Sequence, residues 1–244
     1  MVGKSMKAKR TGKRRSARTG RPPRELAGQV DTRILDAAFQ TFLERGLAGA
    51  SVEEIAGRAR AGKPTIYARF SNKEALFRAV VMRHMACNAA RFDSHVPTGI
   101  TIEQRLADVG AVVLHWGLSN ETVELMRLAI AEARRLPELA SSVGQMAREH
   151  AAEGVARLLR EAVLADDLGT LPLFGPKHLA TTAGFFLDLI LLPLLVRGLL
   201  GEKLRRLRAE IAPHAEGSVA LFVAACRSDA SILMGVGSER RAVD

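Results

Sequence analysis

The stretch SVEEIAGRARAGKPTIYARFSNKEA, residues 51–75, decides how this chain folds. Ser51 and Glu54 have the spacing of a capping box, in which each side chain satisfies a backbone amide at the start of a helix. Apolar residues then recur three and four positions apart, which predicts a short helix with one narrow buried face. That face consists of Val52, Ile55, Ala56 and Ala59.

A second short helix is predicted from Lys63 to Phe70. Pro64 suits its first turn, because the amide hydrogen that proline lacks has no partner there. Ile66 and Phe70 are four residues apart and are expected to face the core. The outer side of the helix then carries Lys63, Thr65, Tyr67 and Arg69.

Ser71-Asn72-Lys73-Glu74 repeats the capping-box spacing and predicts that another helix follows almost without a loop. Two short helices joined by a tight turn have the layout of a helix-turn-helix, whose second helix enters the major groove of DNA. A helix-turn-helix that serves only for packing would give the outward lysine and tyrosine no reason to cluster. We therefore expect this unit to bind DNA.

From Arg33 to Val80 the chain resembles the DNA-binding domain of TetR-type (tetracycline-repressor-like) transcriptional regulators, above all in KPTIYARFSNKEALF at 63–77. The chain departs from the family at Arg60, where family members usually carry Gly, and at Gly62, where they carry a small polar residue. A left-handed backbone is easy for Gly and costs Arg about 1 kcal/mol. We therefore expect the turn to be displaced toward Gly62.

The expected DNA contacts combine phosphate-binding and base-reading side chains. Lys63 and Tyr67 lie one helical turn apart and suit phosphates, while Thr65 approaches a base edge. By the resemblance, Lys73 matches a phosphate-contacting position, and its amide lies at a helix N-terminus that favours an anion. The full predicted set is Arg21, Arg24, Ser51, Lys63, Pro64, Thr65, Tyr67, Arg69 and Lys73.

The formal net charge of +10 is concentrated at the N-terminus, where residues 1–30 hold ten Lys or Arg and one acid, Glu25. Residues 1–28 lack apolar periodicity and are predicted to be a disordered basic tail. Such a tail can neutralise phosphates or lie in the minor groove. For the stretch before Arg18, a solvated tail without a DNA contact stays an open alternative.

The predicted fold is all-α, with an N-terminal three-helix helix-turn-helix domain and a larger helical-bundle effector and dimerisation domain. Asp31 is expected to cap the first helix and Gly46 to end it. The predicted ranges are a DNA-binding domain with its connecting helix at 29–92, a ligand-binding and dimerisation domain at 98–228, and a disordered tail at 229–244. The connecting helix, from Asn72 to about Arg91, is expected to link the two domains mechanically.

Helix signals in the second half predict an antiparallel bundle. Thr101 and Gln104 form another capping box, Asn120 is expected to cap the next helix, and Pro137 to open a longer one that ends near Gly169. On the helix after Asn120, the predicted buried face contains Val123, Met126, Ile130 and Ala133.

The most hydrophobic helix is predicted to begin at Pro176 and is apolar nearly all round, HLATTAGFFLDLILLPLLVRGLLG at 178–201. A membrane span is rejected because the uninterrupted apolar run is shorter than about 20 residues and contains Asp188 and Pro193. Such a helix is buried by its own domain and by a second subunit. By the resemblance, it and the final helix form a four-helix interface in a homodimer.

The resemblance also implies that a small effector binds inside the helical domain. An apolar wall with few polar groups is the usual lining of such a pocket. The predicted lining is Trp116, Met126, Arg127, Phe185 and Asp188, although core or interface packing explains each of them singly. Asp188 needs a partner, which is Arg127, an arginine of the second subunit or a cationic ligand.

No cofactor and no metal are predicted, since the cysteines Cys87 and Cys226 lack metal-ligand spacing and suit a reducing cytoplasm. No motif of an enzyme is present. The sequence predicts a cytoplasmic, sequence-specific transcriptional regulator of double-stranded DNA, namely a ligand-responsive repressor that binds a palindromic operator as a homodimer. The alternatives are an architectural DNA-binding protein with no effector and an all-helical enzyme with a vestigial DNA-binding domain.

Overall fold

The computed structural model describes residues 24–164 and 166–228, with the side chains of 24–27 and 88–93 left out of the description. The described residues form ten α-helices and two short 3-10 helices and contain no strand. The all-α fold is therefore confirmed. The predicted tails, apart from residues 24–28, and the candidate Arg21 lie outside the described residues.

Four helices form the N-terminal part: α1 Arg24–Gly49, α2 Val52–Ala59, α3 Lys63–Tyr67 and α4 Lys73–Ser94. Because α1 begins at Arg24, the prediction that Asp31 caps it is wrong, and so is the extension of the disordered tail to residue 28. Asp31 lies inside the helix, where Thr32 Oγ1 donates to the carbonyl of Gly28 at 3.0 Å. The helical backbone breaks at Gly46, which has φ 70° and ψ 172° as predicted for a helix end.

Six helices form the C-terminal part: α5 Ile102–Gly117, α6 Asn120–Glu132, α7 Pro137–Val163, α8 Leu179–Leu199, α9 Leu204–Ala209 and α10 Ile211–Arg227. The 3-10 helices Asp167–Thr170 and Pro172–Phe174 lie between α7 and α8. The capping box of Thr101 and Gln104 is confirmed at the start of α5. Pro137 opens α7 as predicted.

Several predicted helix boundaries are wrong. Ser119, not Asn120, caps α6, because its Oγ accepts from the amide of Thr122 at 3.2 Å. The Asn120 side chain accepts a hydrogen bond from Arg208 instead. Helix α7 ends at Val163, well before Gly169, and α8 begins at Leu179, after Pro176. Between them, the carboxylate of Asp166 accepts from the amide of Leu168 at 3.1 Å and caps the first 3-10 helix.

Two hydrophobic clusters hold the described residues together. One lies among α5, α7, α8 and α10 and includes the fully buried Leu106 and Phe186. The other lies among α1 to α4 and includes Phe42 and Phe77, whose rings meet edge to face. Its buried members also include three residues of α6 and α7, namely Leu125, Leu139 and Val143. The N-terminal helices thus share their core with the C-terminal part.

The apolar helix α8 packs against α5, α7 and α10. By length and composition, α8 is long and apolar enough to cross a membrane, with a mean hydropathy of 2.1. Pro193 and Asp188 lie within a continuous helix. Half of the apolar window is buried inside the protein, as in the core helix of a helical bundle.

Candidate DNA-binding and ligand-binding sites

Helix α2 presents the predicted buried face, Val52, Ile55, Ala56 and Ala59. Ser51 caps it, since its Oγ accepts from the amide of Glu54 at 3.1 Å. In a full capping box the Glu54 carboxylate would accept from the amide of Ser51. Here it accepts from Arg58 at 2.9 Å instead. Arg58 also binds Glu44 of α1, so this ionic cluster fixes α2 on α1.

The turn between α2 and α3 lies at Arg60, which has φ 50° and ψ 45° in the left-handed region. Gly62 has an ordinary extended backbone, with φ −73°, so the predicted displacement of the turn toward Gly62 is wrong. Two hydrogen bonds account for this, from Arg60 N to Gly57 O at 3.2 Å and from Ala61 N to Ala56 O at 3.0 Å. They satisfy carbonyls at the end of α2 and offset the strain at Arg60.

Helix α3 ends at Tyr67, earlier than the predicted Phe70. The amides of Arg69 and Phe70 both donate to the carbonyl of Ile66, which closes the chain into a turn. Ile66 is buried beneath the helix, and Tyr67 is 50% exposed on the other side. Ser51, Lys63, Pro64 and Arg69 are also exposed, and Thr65 is half-buried, so the predicted outer surface exists.

Two cations of this surface are paired within the protein. Lys63 Nζ donates to Glu53 of α2, and this hydrogen bond holds the pKa of the Glu53 carboxyl below its usual value. Arg69 Nε donates to Asp31 of α1, and its Nη1 donates to the carbonyl of Thr65 at 3.1 Å. Arg69 therefore ties α3 to α1, and the DNA contacts of Lys63 and Arg69 stay predictions.

The start of α4 differs from the predicted capping box, in which Ser71 is the cap. Asn72 caps the helix, with Oδ1 accepting from the amide of Ala75 at 2.7 Å. Lys73 Nζ donates to the carbonyls of Ala48 at 3.2 Å and Ala50 at 2.9 Å. Its ammonium thus satisfies carbonyls at the end of α1, and a phosphate contact stays a prediction. Arg24, another candidate, is the first residue of α1.

Helix α4 touches both parts of the chain. Arg83 donates to the carbonyl of Thr32 at 2.9 Å and to the carboxylate of Asp36 at 2.5 Å, both in α1. His84 Nε2 lies 3.0 Å from Thr122 Oγ1 in α6. Within the described residues, no group of three or more His, Cys, Asp or Glu is arranged to hold a metal ion.

A cavity of about 220 Å³ lies where α4, α5, α6, α7 and α8 meet. Of the predicted lining residues, the structure brings Trp116, Met126 and Asp188 together here. The rest of the lining is Met85, Gly117, Thr122, Gly144, Ala147, Arg148, Ala151, Leu187, Leu191, Leu192 and Leu195. Met85 was missed, although its spacing of four from Val81 on the buried face of α4 is a usable signal.

Arg127 and Phe185 do not line this cavity. Arg127 Nη2 donates to the carbonyl of Gly198 at 2.6 Å, and its Nε donates to that of Leu199 at 3.3 Å, so it satisfies the C-terminal end of α8. Phe185 is 40% exposed on the outside of α8. Ile130, predicted as buried, is exposed as well.

Asp188 is paired with Arg148 of α7, so Arg127 is not its partner. Arg148 Nη1 donates to Asp188 Oδ1 at 2.5 Å and Nη2 to Oδ2 at 2.7 Å. The hydrogen bond to Asp188 raises the pKa of Arg148 above its ordinary value. Sequence reasoning missed Arg148, because it lies on another helix and has no local signal.

Two family models match this chain. One describes bacterial regulatory proteins of the tetR family and covers residues 34–80. The other describes the C-terminal domain of AefR-like transcriptional repressors and covers residues 104–227. The chain belongs to the TetR family, a family of DNA-binding transcriptional regulators. The resemblance seen in residues 33–80 is therefore confirmed.

Curated relatives match over part of the chain. The transcriptional activator FasR of Mycolicibacterium smegmatis is 42% identical over 83 residues, which are 32% of this chain and 36% of FasR. The transcriptional repressor ComR of Escherichia coli K12 is 34% identical over 89 residues, which are 36% of this chain and 42% of ComR. This chain thus spans well under half the length of either relative.

Solved structures match over most of the chain. A TetR-family regulator of Mesorhizobium loti MAFF303099 has a TM-score of 0.69 at 27% identity, covering 81% of this chain and 96% of its own. The flavonoid-responsive regulator FrrA has a TM-score of 0.58 at 28% identity, covering 83% of this chain and 99% of its own.

Proposed function

We propose that this chain is a cytoplasmic, ligand-responsive repressor that binds a palindromic operator as a homodimer. The observation that carries the proposal is the outer surface of α3. There Tyr67 and Lys63 stand exposed on the opposite side from the buried Ile66. This is the arrangement that a recognition helix needs to enter a major groove. The match to AefR-like repressors supports repression rather than activation.

A second subunit is proposed to cover the outer face of α8. Phe185, Leu192 and Val196 are spaced seven and four residues apart, so they share one face of the helix, and all three are 40% exposed or more. Leu221 of α10 is exposed too, and α8 packs on α10. A dimer formed through these helices carries two copies of α3, which fit two half-sites about 34–36 Å apart.

The effector is proposed to bind in the cavity below α4. Met85 belongs to the core of the DNA-binding helices and also lines the cavity. A ligand that displaces Met85 changes the position of α4 and with it the separation of the two recognition helices. The ligand shifts the equilibrium between the two positions of α4 only as far as its affinities for them differ. FrrA is named as flavonoid-responsive, so flavonoids are sensible first candidates.

Protection mapping on genomic fragments, with and without a flavonoid panel, tests the proposal. We expect a short protected palindrome, which a true effector releases. Coating of the DNA without a preferred site would favour an architectural protein and contradict the proposal.

Tyr67→Phe tests the role of α3 in the same assay. The hydroxyl is expected to bind a phosphate, so its loss should weaken binding to operator and to unrelated DNA alike, by roughly tenfold. Tyr67 is the single tyrosine of the chain, so no other phenol can take over the contact. A change in base preference at unchanged overall affinity would contradict a positioning role.

A further inference from the structure

A second cavity, of about 280 Å³, adjoins the one below α4. Its lining comes from α4, α6 and α7. Four residues contribute to the lining of both cavities: Met85, Met126, Gly144 and Ala147. The two cavities are therefore neighbours, and we refer to them together as the chamber. Ile130, which is 58% exposed, lines the second cavity. We call the second cavity the outer cavity and the one below α4 the inner cavity.

The chamber is apolar along its length and charged at one end. The outer cavity has an entirely apolar lining: Val81, Met85, Leu125, Met126, Ala129, Ile130, Ala133, Ala140, Val143, Gly144 and Ala147. The inner cavity adds a hydroxyl from Thr122 and the ion pair of Arg148 and Asp188. A ligand with an apolar body and one polar head group matches this distribution.

The ion pair has unequal capacity for a further partner. Arg148 uses two N–H groups on Asp188, and a guanidinium has five. The Arg148 side chain is 54% exposed and that of Asp188 is 32% exposed. Each Asp188 oxygen already accepts one hydrogen bond from Arg148. Arg148 keeps three N–H groups, against two lone pairs left on Asp188, and it is the more exposed of the two side chains, so an oxygen anion is a better partner at this end than a cation.

We propose that the chamber binds an amphipathic small molecule whose anionic head group pairs with Arg148 and whose apolar body lies along Met85, Met126, Gly144 and Ala147. The inference rests on the proposed function in taking this chamber as the effector site. Asp188 then competes with the ligand for the guanidinium. The anion binds the remaining N–H groups of Arg148, and Asp188 lowers its affinity by partly neutralising the guanidinium charge.

This competition predicts opposite effects for the two members of the pair. Asp188→Asn removes the competing charge and should tighten binding of an anion. Arg148→Gln removes the partner and should weaken it by roughly tenfold or more. Arg148→Lys keeps the charge but loses the forked geometry, so it should recover part of the affinity. If the ion pair had a purely structural role, Asp188→Asn and Arg148→Gln would weaken binding of the anion equally.

Trp116 supplies the measurement, because it lines the inner cavity and is the single tryptophan of the chain. We would titrate the full chain with decanoate, decanol and decyltrimethylammonium, which share a tail and differ in head-group charge, and follow Trp116 fluorescence. Decanoate should bind most tightly. Equal binding of decanol, tighter binding of the cation, or no response to any probe would overturn the proposal.

Gly144→Leu tests the place of the apolar body. Gly144 lines both cavities and a Cβ built on it meets nothing within 4 Å, so a leucine there is expected to take up space in the chamber. Decanoate binding should fall by roughly tenfold or more, because the leucine occupies the space of the tail. Gly57→Leu is the matched control, since Gly57 is an exposed helical glycine with the same open space on α2. Its decanoate affinity should equal that of the unmodified chain.

Unchanged decanoate affinity in Gly144→Leu would place the probe elsewhere and overturn the proposal. These titrations contain no DNA, so their failure is distinct from failure of the proposed function. A chain that protects a palindrome and releases it with a flavonoid, yet binds no decanoate, remains a ligand-responsive repressor with a different ligand class. A chain that binds decanoate but protects no DNA has the proposed chamber without the proposed function.

Discussion

Arg60 shows how hydrogen bonds at a single residue override an intrinsic backbone preference. It is the one non-glycine residue with positive φ in the described parts of the chain. A left-handed conformation costs a residue with a Cβ about 1–2 kcal/mol. The carbonyls of Ala56 and Gly57 are satisfied by amides of this turn, and leaving the conformation would break these hydrogen bonds. The chain therefore keeps the strained residue where most family members are expected to have glycine.

Arg60→Gly should stabilise the protein by about 1 kcal/mol, because it relieves this strain and keeps both hydrogen bonds. Denaturant unfolding measures the change in free energy. Gly62→Ala is the control: its φ is −73° and an added Cβ meets only Pro64 Cδ at 3.5 Å and Thr65 Oγ1 at 3.8 Å. Gly62→Ala should leave the backbone strain at Arg60 unchanged. A destabilised Arg60→Gly would mean that the arginine side chain contributes more than its backbone costs.

At the scale of the element, α8 has one face in the bundle core and another that is apolar and exposed. Leu187 and Ile190 are buried among the other helices, while Leu192 and Val196 are nearly half exposed. Leu192 also lines the inner cavity, so a substitution there would disturb two sites at once. Val196 lies outside both cavity linings, so a substitution there tests assembly without altering the lining of the ligand-binding cavities.

Val196→Arg should convert a dimer to a monomer or an aggregate and abolish operator binding, because two guanidinium groups would meet in an apolar interface. Size-exclusion chromatography with light scattering measures the mass. Ile100→Arg, at an exposed residue of the loop before α5, is the control and should stay dimeric. A dimeric Val196→Arg that still binds operator would remove this face of α8 from the interface.

The end of α8 is held by a charged clamp. Arg197 donates to Glu202 at 2.7 Å and to Glu210 at 2.6 Å, which joins the end of α8 to the turn before α9 and to the residue between α9 and α10. Hydrogen bonds from Arg197 hold the pKa values of both carboxyls below their ordinary value. A depressed carboxyl pKa stabilises the folded state above the unfolded pKa of about 4.3, and this contribution is lost as the pH falls through the folded values.

Arg197→Gln should therefore lower the melting temperature at pH 7, and the difference from the unmodified chain should shrink as the pH falls below about 4. Thermal melts across a pH series measure this. Arg135→Gln is the control, because Arg135 binds only its near neighbour Glu132 in the described contacts. A pH-independent difference for Arg197→Gln would show that packing of the side chain, rather than its charge, stabilises the helix end.

At the scale of the whole molecule, the charge is divided unevenly between the tail and the folded parts. The ten cations of residues 1–30 account for nearly all of the net charge of +10. Within the described residues, many arginines are paired with acids, among them Arg58, Arg83, Arg148 and Arg197. Long-range attraction for DNA is therefore expected to come mainly from the tail.

A chain that begins at Arg24 should keep its preferred operator but lose affinity at low salt, with a flatter salt dependence. Each phosphate contact contributes about −0.9 to the slope of log affinity against log salt, so three or four tail contacts are easily detected. Arg21→Ala combined with Arg24→Ala in the full chain should reproduce part of the change. An unchanged slope would show that the tail does not touch DNA, and a lost site preference would show that it reads sequence.

The sequence by itself determined the helical elements and the class of the DNA-binding unit. The buried face of α2, the break at Gly46 and the capping box of Thr101 and Gln104 all depend on residues within one or two turns of each other. Such local periodicity and capping are legible in a linear sequence. Helix starts were less reliable, as Ser119 and Asn72 show, because adjacent polar residues compete to be the cap.

Only the tertiary structure decided which side chains meet across helices. Asp188 pairs with Arg148, Asp31 with Arg69, and Lys73 with the carbonyls of Ala48 and Ala50. The cavity joins Met85 to residues of four other helices for the same reason. These partners depend on the angle and register at which helices pack, which the interdigitation of many side chains sets at once and no short stretch of sequence contains.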